Sequence, residues 1–86
     1  MNKIGFVILN YKTYSDTLEL ILNLKEQIWF KKIKIYVVEN GSKNGSREEL
    51  KKAQDKYDFE LIISDENLGF ANGNNLGILK AKSDGC

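Results

Sequence analysis

Glu66-Asn67-Leu68-Gly69-Phe70-Ala71-Asn72-Gly73-Asn74-Asn75-Leu76-Gly77 stands where a helix should begin, yet it is built from poor helix formers. Gly69, Gly73 and Gly77 recur every fourth residue, so in a helix they share one face. Each costs about 1 kcal/mol relative to alanine in a helix interior. Asn72, Asn74 and Asn75 prefer caps and turns, because their side chains compete for backbone hydrogen bonds. A fold that accepts such a segment gains close backbone approach, to another element or to a ligand. A helix from about Gly69 to Lys82 serves both ends if its glycine face packs on a sheet and its first turn faces a ligand.

Working outward, three short apolar runs supply that sheet: Lys3 to Leu9, Lys34 to Val38 led in by Ile33, and Phe59 to Ile63. Their apolar character is nearly continuous rather than alternating, as expected of parallel strands covered on both faces. Helical patterns separate them. Ser15 and Asp16 open the first, where Thr17, Ile21, Leu24 and Ile28 recur at helical spacing and Leu18, Leu20 and Leu22 widen the stripe. The second opens on Ser46-Arg47-Glu48-Glu49, which reads as a capping box, and continues with Leu50, Ala53 and Tyr57 on one face. The order β-α-β-α-β-α predicts an α/β fold, with helices flanking a three-stranded parallel sheet and right-handed crossovers.

Composition narrows the function. The 86 residues suit one small domain, and 42% apolar content is that of a globular chain. A net charge of +1 with mixed signs gives no footprint for nucleic acid. There is no histidine, the commonest general base and metal ligand. The single cysteine, Cys86, excludes an internal disulfide and offers no catalytic argument. Neither a signal peptide nor an apolar run of membrane-spanning length is visible, so the expected location is cytoplasmic, extending at most to the inner face of a membrane. Trp29-Phe30 is expected in the core or at a partner contact. Asp65-Glu66 and Asp55/Asp58 read as solvated surface acids.

Parallel sheets bind ligands outside the carboxyl ends of their strands. Three polar loops fall there: Asn10 to Tyr14, Glu39 to Ser46, and Ser64 to Asn67. None carries a dinucleotide fingerprint or a P-loop. Asn10 offers a donor and an acceptor, which suits a nucleobase edge, and Tyr11 can stack; equally, Asn10 can simply end the strand and Tyr11 pack. Glu39, at the tip of a central strand, can accept a hydrogen bond from a base imide or a ribose hydroxyl. Asn40-Gly41 is a hairpin signal, but the helix that follows argues against a hairpin. Asn40-Gly41-Ser42 and Asn44-Gly45-Ser46 match the glycosylation acceptor pattern, a match taken as accidental.

In order and spacing, Val7-Ile8-Leu9-Asn10-Tyr11, Val37-Val38-Glu39-Asn40-Gly41-Ser42 and Asn67 to Gly77 resemble the start of a family-2 glycosyltransferase, closest to the bacterial rhamnosyltransferase-like enzymes. The resemblance implies the nucleotide-binding half of a GT-A fold with strand order 3-2-1. The implied function is sugar transfer from a nucleotide sugar (UDP-, dTDP- or GDP-linked) to a glycan or lipid-linked acceptor, as in polysaccharide biosynthesis. Carried over residue by residue, Asn10, Tyr11, Glu39, Asn40, Gly41, Ser42, Asn67, Gly69, Phe70, Asn72, Asn74 and Asn75 would face the nucleotide. Glu39 stands where the family usually has Asp.

One departure matters more than the matches. No D-x-D motif occurs in these residues. In the family that motif follows a fourth strand and holds Mg²⁺ or Mn²⁺, and the catalytic base comes later still. No metal or other cofactor is therefore expected on this chain, which would be inactive alone. The alternatives are a non-catalytic nucleotide-binding module and a structural unit that oligomerises. Without the fourth strand the edge of Lys3–Leu9 would be bare, and a homo-oligomer pairing across it is expected.

Overall fold

A computed structural model describes residues 4–27 and 32–85. Lys3, Ile28, Trp29, Phe30 and Cys86, to which the sequence assigned roles, lie outside the described residues. The elements are β1 (Ile4–Asn10), α1 (Tyr14–Gln27), β2 (Ile33–Asn40), α2 (Ser46–Tyr57), β3 (Glu60–Ser64) and α3 (Gly69–Ser83). The three strands are parallel in the order β1-β2-β3. Three parallel strands in one sheet with three helices make the Rossmann-like α/β arrangement that the apolar runs predicted. Among the described residues no helix is long and apolar enough to cross a membrane.

β2 is central and carries the core. Ile35 and Val37 join Ile8, Ile21, Leu50, Ala53 and Phe59 in one cluster, on the face covered by α1 and α2. Tyr36 and Val38 alternate with them and are equally buried, on the face that α3 covers. Both faces are thus filled, which is why the runs are continuous rather than alternating. The third strand is displaced by one residue: Phe59 is buried just before β3 rather than within it. In α1 the apolar stripe is narrower than expected. Thr17 and Ile21 are buried, whereas Leu20 and Leu22 face solvent.

The glycine spacing of α3 resolves into two roles. A Cβ at Gly77 would lie 2.3 Å from Val7 Cγ1 and 3.1 Å from Val38 Cγ2. One at Gly73 would lie 2.6 Å from Leu9 Cδ1 and 3.3 Å from Asn40 Cγ. These two glycines bring the helix axis down onto β1 and β2. A Cβ at Gly69 would meet nothing within 4 Å; its φ of +81° makes it the corner by which the chain enters the helix.

The capping box is corrected by the structure. Ser46 is inside α2, and the cap is Gly45 in the left-handed region, with no side-chain cap bond. The Glu49 amide donates to Gly45 O at 3.1 Å, and Asn44 Oδ1 accepts from the Ser46 amide at 3.2 Å. Ser46 Oγ is buried without a partner. The Asx turn at Asn44 does the work that spacing assigned to Ser46, because a side chain two residues back already satisfies the first amide.

Candidate functional site

At the carboxyl end of the sheet, β1 and β2 stop side by side, with Asn10 in register with Glu39. Asn10 is fully buried, and its Oδ1 accepts a 2.7 Å hydrogen bond from Thr17 Oγ1 in the first turns of α1. Its Nδ2 is buried and unmatched. Thr17, read from the sequence only as part of an apolar stripe, is therefore what sets the orientation of Asn10. No local signal marks that pairing, since the two residues meet only after the loop has turned.

Glu39 is 1% exposed. Its Oε1 accepts from the Ser42 amide at 3.1 Å and also from Ser42 Oγ, while Oε2 has only a 3.4 Å contact to the same amide. Ser42 Oγ in turn accepts from the Lys12 amide at 2.7 Å. Asn44 Nδ2 donates to Lys12 O at 3.2 Å. The first two strand-end loops are thus sewn together through Lys12, with the carboxylate of Glu39 at the bottom of the seam and one of its oxygens lightly used.

Asn40 joins the second loop to the third. Its Nδ2 donates to Asn67 Oδ1 at 3.0 Å, and its Oδ1 accepts from the Leu68 amide at 3.0 Å. Asn67 Oδ1 also accepts from the Gly69 amide at 2.8 Å, which fixes the corner into α3. Gly41 makes the close approach possible. Its φ is +70°, and a Cβ there would stand 2.4 Å from Glu66 C and 2.5 Å from Asn67 N.

The structure therefore brings Asn10, Glu39, Asn40, Gly41, Ser42, Asn67 and Gly69 to one corner of the sheet. Tyr11 is beside them, 39% exposed, with Lys12 Nζ 5.1 Å from its ring centroid. Asn72 and Asn75 are exposed on α3 and Asn74 is half-buried. Phe70 lies in the first turn of α3, and its side chain is outside what the structure describes. Arg47, not singled out from the sequence, donates to Asp65 Oδ1 at 2.9 Å and ties α2 to the end of β3.

Among the described residues, cavities open at both ends of the sheet. One of about 420 Å³ opens at the same end of the sheet as this corner, between Lys43, Gly45, Arg47, Glu48 and Asp65. A larger one, about 640 Å³, opens at the opposite end and is bordered by Lys34, Asp55, Asp58 and Glu60. Size favours the second, but parallel strands present their loops at the first, and the buried polar residues collect there. Among the described residues no group of His, Cys, Asp or Glu gathers as a metal site would require.

This is a Rossmann-like α/β unit whose polar loops meet at the carboxyl edge of the sheet. The family model for glycosyl transferase family 2 matches residues 6–86, and the chain belongs to that family. A comparison with curated proteins returns no match.

Proposed function

We propose that this chain supplies the nucleotide-binding part of a sugar transfer from a nucleotide-sugar donor to a glycan or lipid-linked acceptor. The observation that carries the reading is the meeting of Asn10, Glu39 to Ser42 and Asn67 at one strand-end corner, in a chain of glycosyl transferase family 2. Glu39 keeps one carboxylate oxygen with spare capacity to accept from a base imide or a ribose hydroxyl. The Asn10 amide is an unmatched donor beside it. Tyr11 is 39% exposed and brings an aromatic ring on which a base can stack. A rhamnosyltransferase-like donor preference and a part in bacterial polysaccharide biosynthesis are finer parts of the same proposal, supported by the three motifs and their spacing; a cytoplasmic location is proposed with them.

Amide NMR titration with UDP, dTDP and GDP, each with and without Mn²⁺, tests it. Shifts confined to Asn10, Glu39–Ser42 and Asn67–Asn75 are expected, and the tightest ligand identifies the base. Binding without transfer or hydrolysis points to the non-catalytic module. A well-dispersed spectrum that ignores all three nucleotides at millimolar concentration removes the nucleotide reading. Self-association across the β1 edge goes with the same proposal, and a monomer at every concentration in sedimentation would remove it.

A further inference from the structure

Among the described residues, three other than glycine have left-handed backbones: Lys12 (φ 63°), Lys43 (φ 58°) and Asp58 (φ 55°). Asp58 merely closes α2, an ordinary place for that conformation. The two lysines have no such excuse. Each pays the steric cost of the left-handed region, and such costs concentrate where a side chain must be aimed. Lys12 leaves the end of β1 and Lys43 the end of β2. The seam described above holds the two corners together, since Ser42 accepts from the Lys12 amide and Asn44 donates to the Lys12 carbonyl. Those two partners are the residues immediately before and after Lys43.

Both lysines are exposed, and neither has a carboxylate partner among the described residues. Lys12 Nζ rests over the ring of Tyr11. Lys43 borders the 420 Å³ cavity, whose other cation, Arg47, is already held by Asp65. Glu48 borders that cavity too and subtracts from its positive potential. Asn10 Nδ2 and Ser46 Oγ are buried and unpartnered, and they lie at the roots of the same two loops.

We infer that Lys12 and Lys43 form a cation pair that takes the diphosphate of a nucleotide ligand, supplying positive charge from the two strand-end loops themselves. The ligand's chemistry rests on the reading under Proposed function; the pair itself rests on the loop geometry. A diphosphate reaching between the corners draws the Lys12 ammonium off the Tyr11 ring and leaves that face to a base.

The test uses the whole chain and two probes: inorganic pyrophosphate in the presence of EDTA, and uridine, which has no phosphate. Pyrophosphate is expected to shift the amides of Lys12, Lys43 and Asn44 and the ring signals of Tyr11. The Lys12→Met/Lys43→Met double variant should bind it about 10-fold more weakly, the size of two solvent-facing ammonium–phosphate contacts. The Lys12→Arg/Lys43→Arg variant should keep the affinity, and Lys51→Met on α2 should change nothing. If Lys12→Met disturbs the loop, Lys43→Met alone carries the test, with a loss of about 3-fold. A wild-type chain that ignores millimolar pyrophosphate overturns the inference. So does a folded double Met variant that binds as the wild type does. Uridine failing while pyrophosphate binds through the lysines removes the base contact instead, so the two ideas fall separately.

Discussion

At the carboxyl end of the sheet, Asn10, Glu39, Asn40 and Ser42 are buried and bonded across three loops; at the amino end, Lys34, Glu60, Lys80 and Asp84 meet in half-exposed ion pairs. The first end uses amides, hydroxyls and a single carboxylate, each aimed by a neighbour. The second uses half-exposed charges that bind α3 and its cap Asp84 to β2 and β3, with Tyr36 donating to Asp84 Oδ2 at 2.7 Å. At the first end a small shift would leave several buried polar groups unmatched at once. The amino end fastens the helix, whereas the carboxyl end presents groups in fixed directions, which is what a binding site needs.

If that contrast holds, disruption at the carboxyl end should cost most. Gly41→Ala is the most damaging single change expected. Its Cβ would meet main-chain atoms of Glu66 and Asn67, which cannot swing aside, in a left-handed conformation already unfavourable to alanine. A loss of about 3 kcal/mol is expected in urea unfolding. A loss under about 1 kcal/mol would mean that the Glu66–Asn67 segment is free to move and that the loops are not locked.

Asn40→Ala comes next. It removes one acceptor and one donor together, leaving the Leu68 amide and one side of Asn67 without their partners. About 2 kcal/mol is expected, with amide exchange speeding up at Leu68 and Gly69 before anywhere else. Uniform exchange along the chain would show that the corner into α3 is not held by this amide.

Much of this was legible beforehand, and the parts that were not share a cause. Strand and helix order follow from local periodicity, so Ile33–Asn40 and Gly69–Ser83 fall where the runs predicted. Gly73 and Gly77 announced close packing, because spacing by four is a property of the helix itself. The pairings Asn10–Thr17, Ser42–Lys12 and Asn40–Asn67 were invisible, since each depends on where another element lands. Asn10, Glu39 and Asn40 were singled out as ligand contacts, but the structure gives each a partner within the protein as well. The Lys34–Asp84 contact spans 50 positions and carries no motif at all.

The amino end should respond to acid rather than to a single lost contact. Asp84 is held down to about 2, first by the Tyr36 hydroxyl and then by the Lys34 ammonium. Its lowered folded-state pKa makes it stabilising above the ordinary value of 3.8, and that contribution fades as pH falls toward about 2. Thermal midpoints of the wild type should therefore decline through this window, and Asp84→Asn should flatten the decline. Lys34 works in the opposite sense. Its pKa is raised by Asp84 and then Glu60, so its contribution is present at neutral pH and fades only above 10.5. An unchanged acid slope in Asp84→Asn would relegate the cluster to decoration.

Ser46 gives the smallest effect and the sharpest discrimination. As the cap of a capping box, its replacement by alanine would cost about 1 kcal/mol. In the structure its hydroxyl is buried with no partner, and Gly45 and Asn44 provide the helix start. Ser46→Ala then removes an unmatched polar group and adds a better helix former, so no loss and a gain of up to about 1 kcal/mol is expected. Asn44→Ala should show the penalty instead, because it frees both the Ser46 amide and the Lys12 carbonyl. The pair of midpoints in urea decides the matter. If Ser46 is the costly one, its hydroxyl has a partner and the loop is arranged differently. If Asn44 is, one side chain both starts α2 and holds the first strand-end loop against the second, which couples the helix start to the shape of the site.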